Sequence, residues 1–181
     1  MRYLITVTVC LICLSCATQP YLPEVQTASD VDLSRYQGTW YEIARLPAWF
    51  QRDCMESMAT YTLDETGNVA VINECVTKKG KKKRAFGTAS VVDSETNAKL
   101  EVLFDNWFSR LFPSLTKGKY WILYLDPDYQ TVIVGTPDRK YLWIMARTPE
   151  LEEAAYQELV DLSQNMGFNT SALRRVRKGK Q

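Results

Sequence analysis

Eight short segments with alternating apolar and polar residues constrain the fold of this chain more than any other feature. Alternation with a period of two is typical of strands that bury one face, and turn residues such as Asp126, Pro127 and Asp128 separate the segments. Eight strands are the number that closes a β-barrel able to hold one small ligand. The sequence therefore predicts an eight-stranded antiparallel up-and-down barrel, with strands at residues 38–45, 58–63, 69–76, 84–92, 99–104, 119–125, 131–136 and 141–147.

One C-terminal helix is predicted after the last strand, so the fold class is all-β with a single helix. Thr148 is a favourable N-cap, Pro149 suits the first helical position, and Gly167 can end the helix. An apolar stripe recurs at spacings of four and three residues: Leu151, Ala155, Leu159, Leu162 and Met166. We expect this stripe to pack on the outer wall of the barrel.

Two motifs lie at the ends of the strand series. The first strand begins Gly38-Thr39-Trp40-Tyr41-Glu42-Ile43-Ala44, and the last strand ends Arg147-Thr148-Pro149. Together, around eight strands, they resemble the lipocalins, and in particular the lipoprotein lipocalins of the bacterial outer membrane. The resemblance covers roughly residues 32–176. It implies that Trp40 plugs the closed end of the barrel beside Gly38, and that Arg147 packs over the Trp40 ring in a cation–π contact.

The N-terminus predicts export. Residues 3–14 form an apolar run after Arg2, which is long enough for a signal-peptide core and too short to span a bilayer. The sequence Leu14-Ser15-Cys16-Ala17 then resembles the bacterial lipobox, in which Cys16 would carry lipid on its thiol. Incorporation of labelled palmitate would detect this modification. The alternative is a plain secretory signal with an ordinary thiol at Cys16.

The expected domain organisation follows from this. Residues 1–15 form the signal peptide, residues 16–31 form a lipid-anchored tether without periodicity, and residues 32–181 form the lipocalin domain. Ala17 differs from the Asp that retains lipoproteins at the inner membrane. By that family rule, we expect the protein to be lipid-anchored at the cell outer membrane and to face the periplasm.

Two cysteines remain after the signal and the lipidated position. Cys54 and Cys75 flank a predicted hairpin whose turn is residues 64–68, which places them nearly opposite each other in an oxidising compartment. A disulfide would close a loop of about twenty residues and contribute ~3 kcal/mol. The alternative is that both are small buried apolar residues.

Composition excludes several classes of function. The chain has 22 basic and 21 acidic residues, which argues against a dedicated nucleic-acid binder. It has no histidine, which excludes histidine metal sites, Ser-His-Asp or Cys-His catalysis and histidine-ligated haem. We therefore expect no cofactor, metal or catalytic residue.

The predicted ligand-binding residues are those that face the barrel interior. Matching the last strand to the family places Tyr141 and Trp143 inward, and the alternation of the first hairpin offers Ala59, Tyr61, Val71 and Asn73. Trp143 would supply an apolar wall, while Tyr61, Tyr141 and Asn73 could hydrogen-bond a head group or water. The alternative is that some of these side chains only fill a solid core.

Two surface features remain. Residues 78–84 form a basic connection and residues 174–180 a basic tail, which are either solvated or in contact with anionic lipid. Residues 107–113 form an aromatic connection that would serve as an apolar lip for an entering lipid or as a protein contact. A homodimer stays an open alternative to a monomer.

Three functions follow from the resemblance and the residues. The first is binding, storage or transport of a fatty acid, a lysophospholipid or another small apolar ligand, in membrane maintenance. The second is a lipid-modifying enzyme that uses Cys75, which pairing with Cys54 would silence. The third is a pigment or haem carrier, which would need a tyrosine ligand.

Overall fold

The computed structural model describes residues 23–105 and 117–176. The predicted signal peptide, Cys16 and the aromatic connection at residues 107–113 lie outside the described residues. So does most of the basic tail, from residue 177 onward. No helix within the described ranges is both long and apolar enough to cross a membrane.

The described chain contains nine strands and two α-helices. The strands are β1 (Gly38–Arg45), β2 (Cys54–Leu63), β3 (Val69–Thr77), β4 (Lys82–Val91), β5 (Lys99–Phe104), β6 (Gly118–Leu125), β7 (Thr131–Gly135), β8 (Leu142–Ala146) and β9 (Arg174–Arg175). The helices are α1 (Leu33–Tyr36) and α2 (Glu153–Asn165), and short 3₁₀ turns lie at Trp49–Gln51 and Thr170–Ala172.

The first eight strands form the predicted closed barrel. Each pairs antiparallel with its neighbour in chain order, and β1 pairs with both β2 and β8, which closes the sheet. The short β9 adds to the end of β1 through Ala44 and Arg45. Since connections alternate between the two ends, the β1–β2, β3–β4 and β7–β8 connections lie at one end of the barrel, which we call the mouth.

The largest difference in strand limits is at β2, which begins four residues before the predicted start. Cys54 pairs with Thr77, with a register shift between Cys54 and Glu56. Such a shift breaks the apolar alternation that marks a strand in the sequence. The predicted disulfide is present between Cys54 and Cys75, whose Cα atoms are 5.6 Å apart.

The barrel wall separates two apolar cores. The inner core contains Trp40, Ala59, Tyr61 and Val71, with Trp143 packed against it. The outer core lies between the wall and α2, and it includes Leu142, Ile144 and Leu159. Alternate residues of one strand therefore serve different cores, as Trp143 and its two neighbours in β8 illustrate.

The prediction for the start of α2 is wrong by four residues. The helix begins at Glu153, and its N-cap position, Glu152, makes no side-chain capping bond. The Thr148 hydroxyl instead donates to the carbonyl oxygen of Glu150 at 2.7 Å, which holds a turn before the helix. At the other end Gly167, with a φ of 86°, stops the helix as expected.

Residues 23–31 lie on the barrel, which differs from the free tether predicted for this segment. The carbonyl oxygen of Pro23 accepts from Arg139 in the β7–β8 connection at 2.7 Å, so this point is at the mouth end. Val25 is buried in the outer core and Val31 in the inner core. The segment therefore runs from the mouth end towards the closed end, a packing that two isolated valines do not reveal in sequence.

Candidate ligand-binding site

The structure places most of the predicted inner residues around one interior. Ala59 pairs opposite Asn73, and Tyr61 pairs opposite Val71, so the four share one face of the β2–β3 hairpin. Ala59, Tyr61 and Val71 are buried, whereas Asn73 is half-buried. Trp143 lies at the level of Arg45, near the mouth. The six predicted residues are therefore spread along the axis of the barrel.

Trp40 occupies the closed end together with Arg147. The Trp40 ring is fully buried, and the guanidinium carbon of Arg147 lies 3.9 Å from its centroid. Arg147 also donates to the carbonyl oxygens of Thr39 and Tyr36, at 3.0 and 3.1 Å. A Cβ on Gly38 would lie 3.3 Å from an Arg147 nitrogen, so glycine leaves room for the guanidinium.

A chain of three tyrosine hydroxyls lies beside this plug, where the ring centroids of Tyr36 and Trp40 are 5.0 Å apart. The hydroxyl oxygen of Tyr120 lies 2.7 Å from that of Tyr36 and donates to that of Tyr61 at 2.9 Å. Burial raises the pKa of Tyr61 to about 12 and the pKa values of Tyr36 and Tyr120 well above their usual range. The Tyr61 hydroxyl is therefore engaged at the closed end, and Tyr36 and Tyr120 are site residues that the sequence analysis missed.

The space next to these tyrosines is small. The residual cavity, bordered by Tyr36, Tyr61, Tyr120 and apolar side chains of β3 to β6, has a volume of about 10 Å³. This is room for about one water molecule. The closed end is thus a packed floor, and a ligand as long as an acyl chain would need the part of the interior nearer the mouth.

Three aromatic rings gather at the mouth. The ring centroids of Tyr141 and Trp143 are 6.0 Å apart, and the Phe50 ring lies 5.4 Å from Tyr141 and 6.4 Å from Trp143. Phe50 belongs to the 3₁₀ turn in the β1–β2 connection, so this turn contributes to the same aromatic cluster as β8. The cluster offers a broad apolar surface where the barrel opens.

A buried polar network holds this turn in place. Arg45 forms an ion pair with Glu42 and donates to the carbonyl oxygens of Gln51 and Cys54 at 3.1 and 2.8 Å. The Gln51 side chain donates to Glu42 at 3.1 Å and accepts from the Trp143 indole nitrogen at 2.9 Å. The network therefore links β1, β8 and the turn across the barrel mouth.

Glu42, Arg45 and Gln51 could not be predicted together as interior residues from the regular alternation of the strands. Glu42 and Arg45 are 4% and 7% exposed, and a spacing of three normally puts two strand residues on opposite faces. A register shift between Glu42 and Ala44 breaks this rule and leaves both charges inside. Of these three residues, only Glu42 could have been predicted to face inward, because it follows Trp40 by two residues on the same strand.

Burial makes the ionised form of Glu42 costly. Desolvation raises the pKa of Glu42 above its ordinary value, and the opposing effects of the Arg45 charge and hydrogen bond are smaller. The carboxyl group therefore takes up a proton at a higher pH than a carboxyl in water. This places a titratable group within the network that fixes the turn.

The described residues offer neither a free thiol nucleophile nor a metal site. Cys54 and Cys75 are joined in the disulfide, so neither is a thiol nucleophile in this state. Within residues 23–105 and 117–176, no cluster of three or more acidic or cysteine side chains could hold a metal ion. The inner wall of the barrel is lined mainly by apolar side chains.

Comparison with known proteins agrees with this geometry. Residues 31–178 match the family model of a lipocalin-like domain. The chain is 38% identical to temperature-induced lipocalin-1 of Arabidopsis thaliana over 156 residues, which cover 84% of this chain and 82% of that protein. It is 34% identical to the outer membrane lipoprotein Blc of Vibrio cholerae over 155 residues, covering 84% and 86%. The corresponding Escherichia coli K12 protein is 35% identical over 148 residues, covering 81% and 79%.

Solved structures share the architecture at lower identity. Insecticyanin of the tobacco hornworm Manduca sexta superimposes with a TM-score of 0.66 at 21% identity, covering 88% of this chain and 87% of that one. A likeness at this identity establishes the fold alone, an eight-stranded barrel with one flanking helix.

Proposed function

This chain belongs to the lipocalin family, and on that premise we propose that its barrel binds a single-chain amphiphile such as a fatty acid or a lysophospholipid. Lipocalins bind small hydrophobic ligands, and the observation that carries the narrower proposal is the apolar inner wall with an aromatic cluster at its mouth. A barrel of eight strands has room for at most one small ligand, and a single acyl chain is within that limit.

The ligand would lie between the floor and the mouth. Ala59, Val71 and Trp143 would contact the acyl chain, while Tyr61 would border its lower end. Asn73 and Tyr141 are half-buried polar groups that could reach a head group or an ordered water. The head group would then remain near the mouth, where polar atoms and solvent can replace its hydration.

Entry requires the 3₁₀ turn to move. Phe50 and Gln51 contact Tyr141 and Trp143 across the opening. A ligand that pushed Gln51 aside would replace the indole hydrogen bond of Trp143 with apolar contact. We therefore expect binding to change the fluorescence of Trp143.

The protein would act at the bacterial outer membrane, in storage or transport of lipid during membrane maintenance. Support comes from the relatives that are named outer membrane lipoproteins and from the lipobox-like sequence at Cys16. The anchor would be the lipid on Cys16, with the barrel facing the periplasm.

A lipid titration tests the site. Trp143→Ala should weaken fatty-acid binding by ~2 kcal/mol, because the ligand loses much of the apolar area that the ring covers. Trp121→Ala is the matched control, because Trp121 packs against the outer core and should leave affinity unchanged. Equal affinities in both variants, measured at matched folded fractions, would refute the cavity assignment. Mass spectrometry of lipids that copurify with the protein would identify the natural ligand.

A further inference from the structure

Among the described residues, three of the five exposed large apolar side chains lie at the mouth, whereas Phe86 lies within β4 and Val92 directly after it. Trp49 is 77% exposed and Phe50 51% exposed, and their rings meet edge to face with centroids 5.7 Å apart. Met55, at the start of β2, is also exposed. Single exposed apolar residues are common, but adjacent large ones on one rim indicate an interaction surface.

A basic connection lies directly beside these residues. The backbone nitrogen of Lys78 donates to the carbonyl oxygen of Asp53 at 3.0 Å, which joins the β3–β4 connection to the end of the β1–β2 connection. Five exposed lysines follow within six residues: Lys78, Lys79, Lys81, Lys82 and Lys83. None of the ion pairs formed among the described residues involves these five lysines.

The N-terminal segment also reaches this end of the molecule. Pro23 is held by Arg139 of the β7–β8 connection, at the mouth end. Six residues lie between Cys16 and Pro23, and the seven steps from one Cα atom to the other span at most ~25 Å. If Cys16 carries lipid, as the proposed function has it, the anchor keeps the mouth end close to the bilayer.

These features have the chemistry of a membrane surface. Indole and phenyl rings partition into the interfacial region of a bilayer, and lysine side chains extend to the phosphate groups around them. Each lysine close to an anionic surface strengthens binding by about fivefold. An apolar tip bordered by unpaired cations is therefore complementary to an anionic phospholipid bilayer.

We propose that the mouth docks on an anionic bilayer surface, with Trp49 and Phe50 in the interface and the lysines of residues 78–83 on the phosphates. The barrel would then open towards the bilayer, and a lipid could pass between membrane and barrel with little exposure of its chain to water.

Quenching by brominated lipid tests this orientation in the full chain, even when the N-terminus is already anchored. The chain is reconstituted with vesicles of equimolar phosphatidylcholine and phosphatidylglycerol that carry bromine on their acyl chains. The fluorescence lost in Trp49→Phe isolates the signal of Trp49, and we expect that signal to be quenched. Trp121→Phe is the control, because Trp121 packs against the outer core below a Lys99 side chain and should be insensitive to bromine.

The charge requirement is tested by Lys78→Gln, Lys79→Gln and Lys81→Gln together. This variant should lose most of the Trp49 quenching, and wild type should lose it in vesicles of phosphatidylcholine alone. Circular dichroism checks that the barrel remains folded. Three outcomes would overturn the proposal. The first is that Trp49 is not quenched in anionic vesicles, and the second is that quenching is the same with or without the lysine substitutions and the lipid charge. The third is that protection of Trp49 increases with protein concentration, which would indicate contact with a second copy of the chain. A fatty-acid titration of the same samples measures ligand binding independently of membrane docking. A failure of docking can therefore be distinguished from a failure of the proposed ligand binding.

Discussion

We expect Trp40 to stabilise the fold without contacting a ligand. Its ring is fully buried, its indole nitrogen donates to the carbonyl oxygen of Tyr36 at 2.9 Å, and it packs against the Tyr36 ring in the floor of the barrel. Trp40→Ala should lower the free energy of unfolding by ~3–5 kcal/mol, as large truncations in a core do. Trp49→Ala, at an exposed position, should leave it nearly unchanged. Denaturant unfolding of both variants checks this, and a stable Trp40→Ala would contradict its role as a plug.

The tyrosine chain makes a second prediction for single residues. Tyr120→Phe leaves the Tyr36 and Tyr61 hydroxyls without their shared partner, which should cost ~1–3 kcal/mol. Tyr124→Phe, on the outer side of the barrel, is the control.

The same tyrosines predict a dependence on alkaline pH. The folded-state pKa values are raised, so their contribution to stability is present below pH 10 and is lost as the pH rises through the folded value, about 12 for Tyr61. Absorbance titration should show these hydroxyls ionising only as the barrel unfolds. Ionisation near pH 10 in the folded protein would contradict their burial.

Among the structural elements, the turn at the mouth depends most on a few charged groups. Arg45 binds two carbonyl oxygens of the β1–β2 connection and the Glu42 carboxylate. Arg45→Met removes these bonds and leaves Glu42 buried without its partner, which should cost ~3–5 kcal/mol. The exposed Arg52→Met is a control within the same connection. Thermal unfolding of the two variants at neutral pH compares their effects.

Glu42 adds a pH dependence of stability that is opposite in direction to that of a carboxylate whose pKa is lowered on folding. Its folded pKa is raised above the ordinary value of 4.5, so the contribution of Glu42 to stability is fully present below that pH and is lost as the pH rises through the folded pKa. Glu42→Gln cannot ionise and should lack this decline. Unfolding free energies of both proteins across the acidic to neutral range provide the test, and parallel pH profiles would show that Glu42 titrates normally.

For the whole molecule, the proposed attachment to the membrane depends on Cys16. Labelled palmitate should enter the wild-type protein and be absent from Cys16→Ser, because the thiol is the acceptor in the proposed modification. Cys75→Ser serves as a control that retains Cys16. Equal labelling of wild type and Cys16→Ser would exclude lipidation at this position and would also remove the anchor that keeps the mouth end near the bilayer.

The barrel could be predicted because its signals are local. The limits of β1 and β5 agree with the predicted residues 38–45 and 99–104. In β5 buried and half-buried residues alternate from Lys99 to Val102, whereas in β1 the alternation holds only as far as Glu42, where the register shift begins. The motif around Trp40 and the hairpin that brings Cys54 and Cys75 together depend on short-range sequence order in the same way. The start of α2 was mispredicted because the favourable cap at Thr148 competes with a turn that packs Leu151 onto the outer core.

By itself, the sequence determined the eight barrel strands, their order and the presence of the C-terminal helix. It also determined the residues that face inward on regular strands, because a period of two is a property of the backbone. Only the tertiary structure decided what the interior contains. A register shift in β1 brings Glu42 and Arg45 to one side, and barrel closure brings Tyr36, Tyr61 and Tyr120 together from distant parts of the chain. The same closure sets the aromatic turn beside the lysines at the mouth. Such contacts depend on how far each strand is shifted against the next, and a one-residue change in register would place different side chains inside.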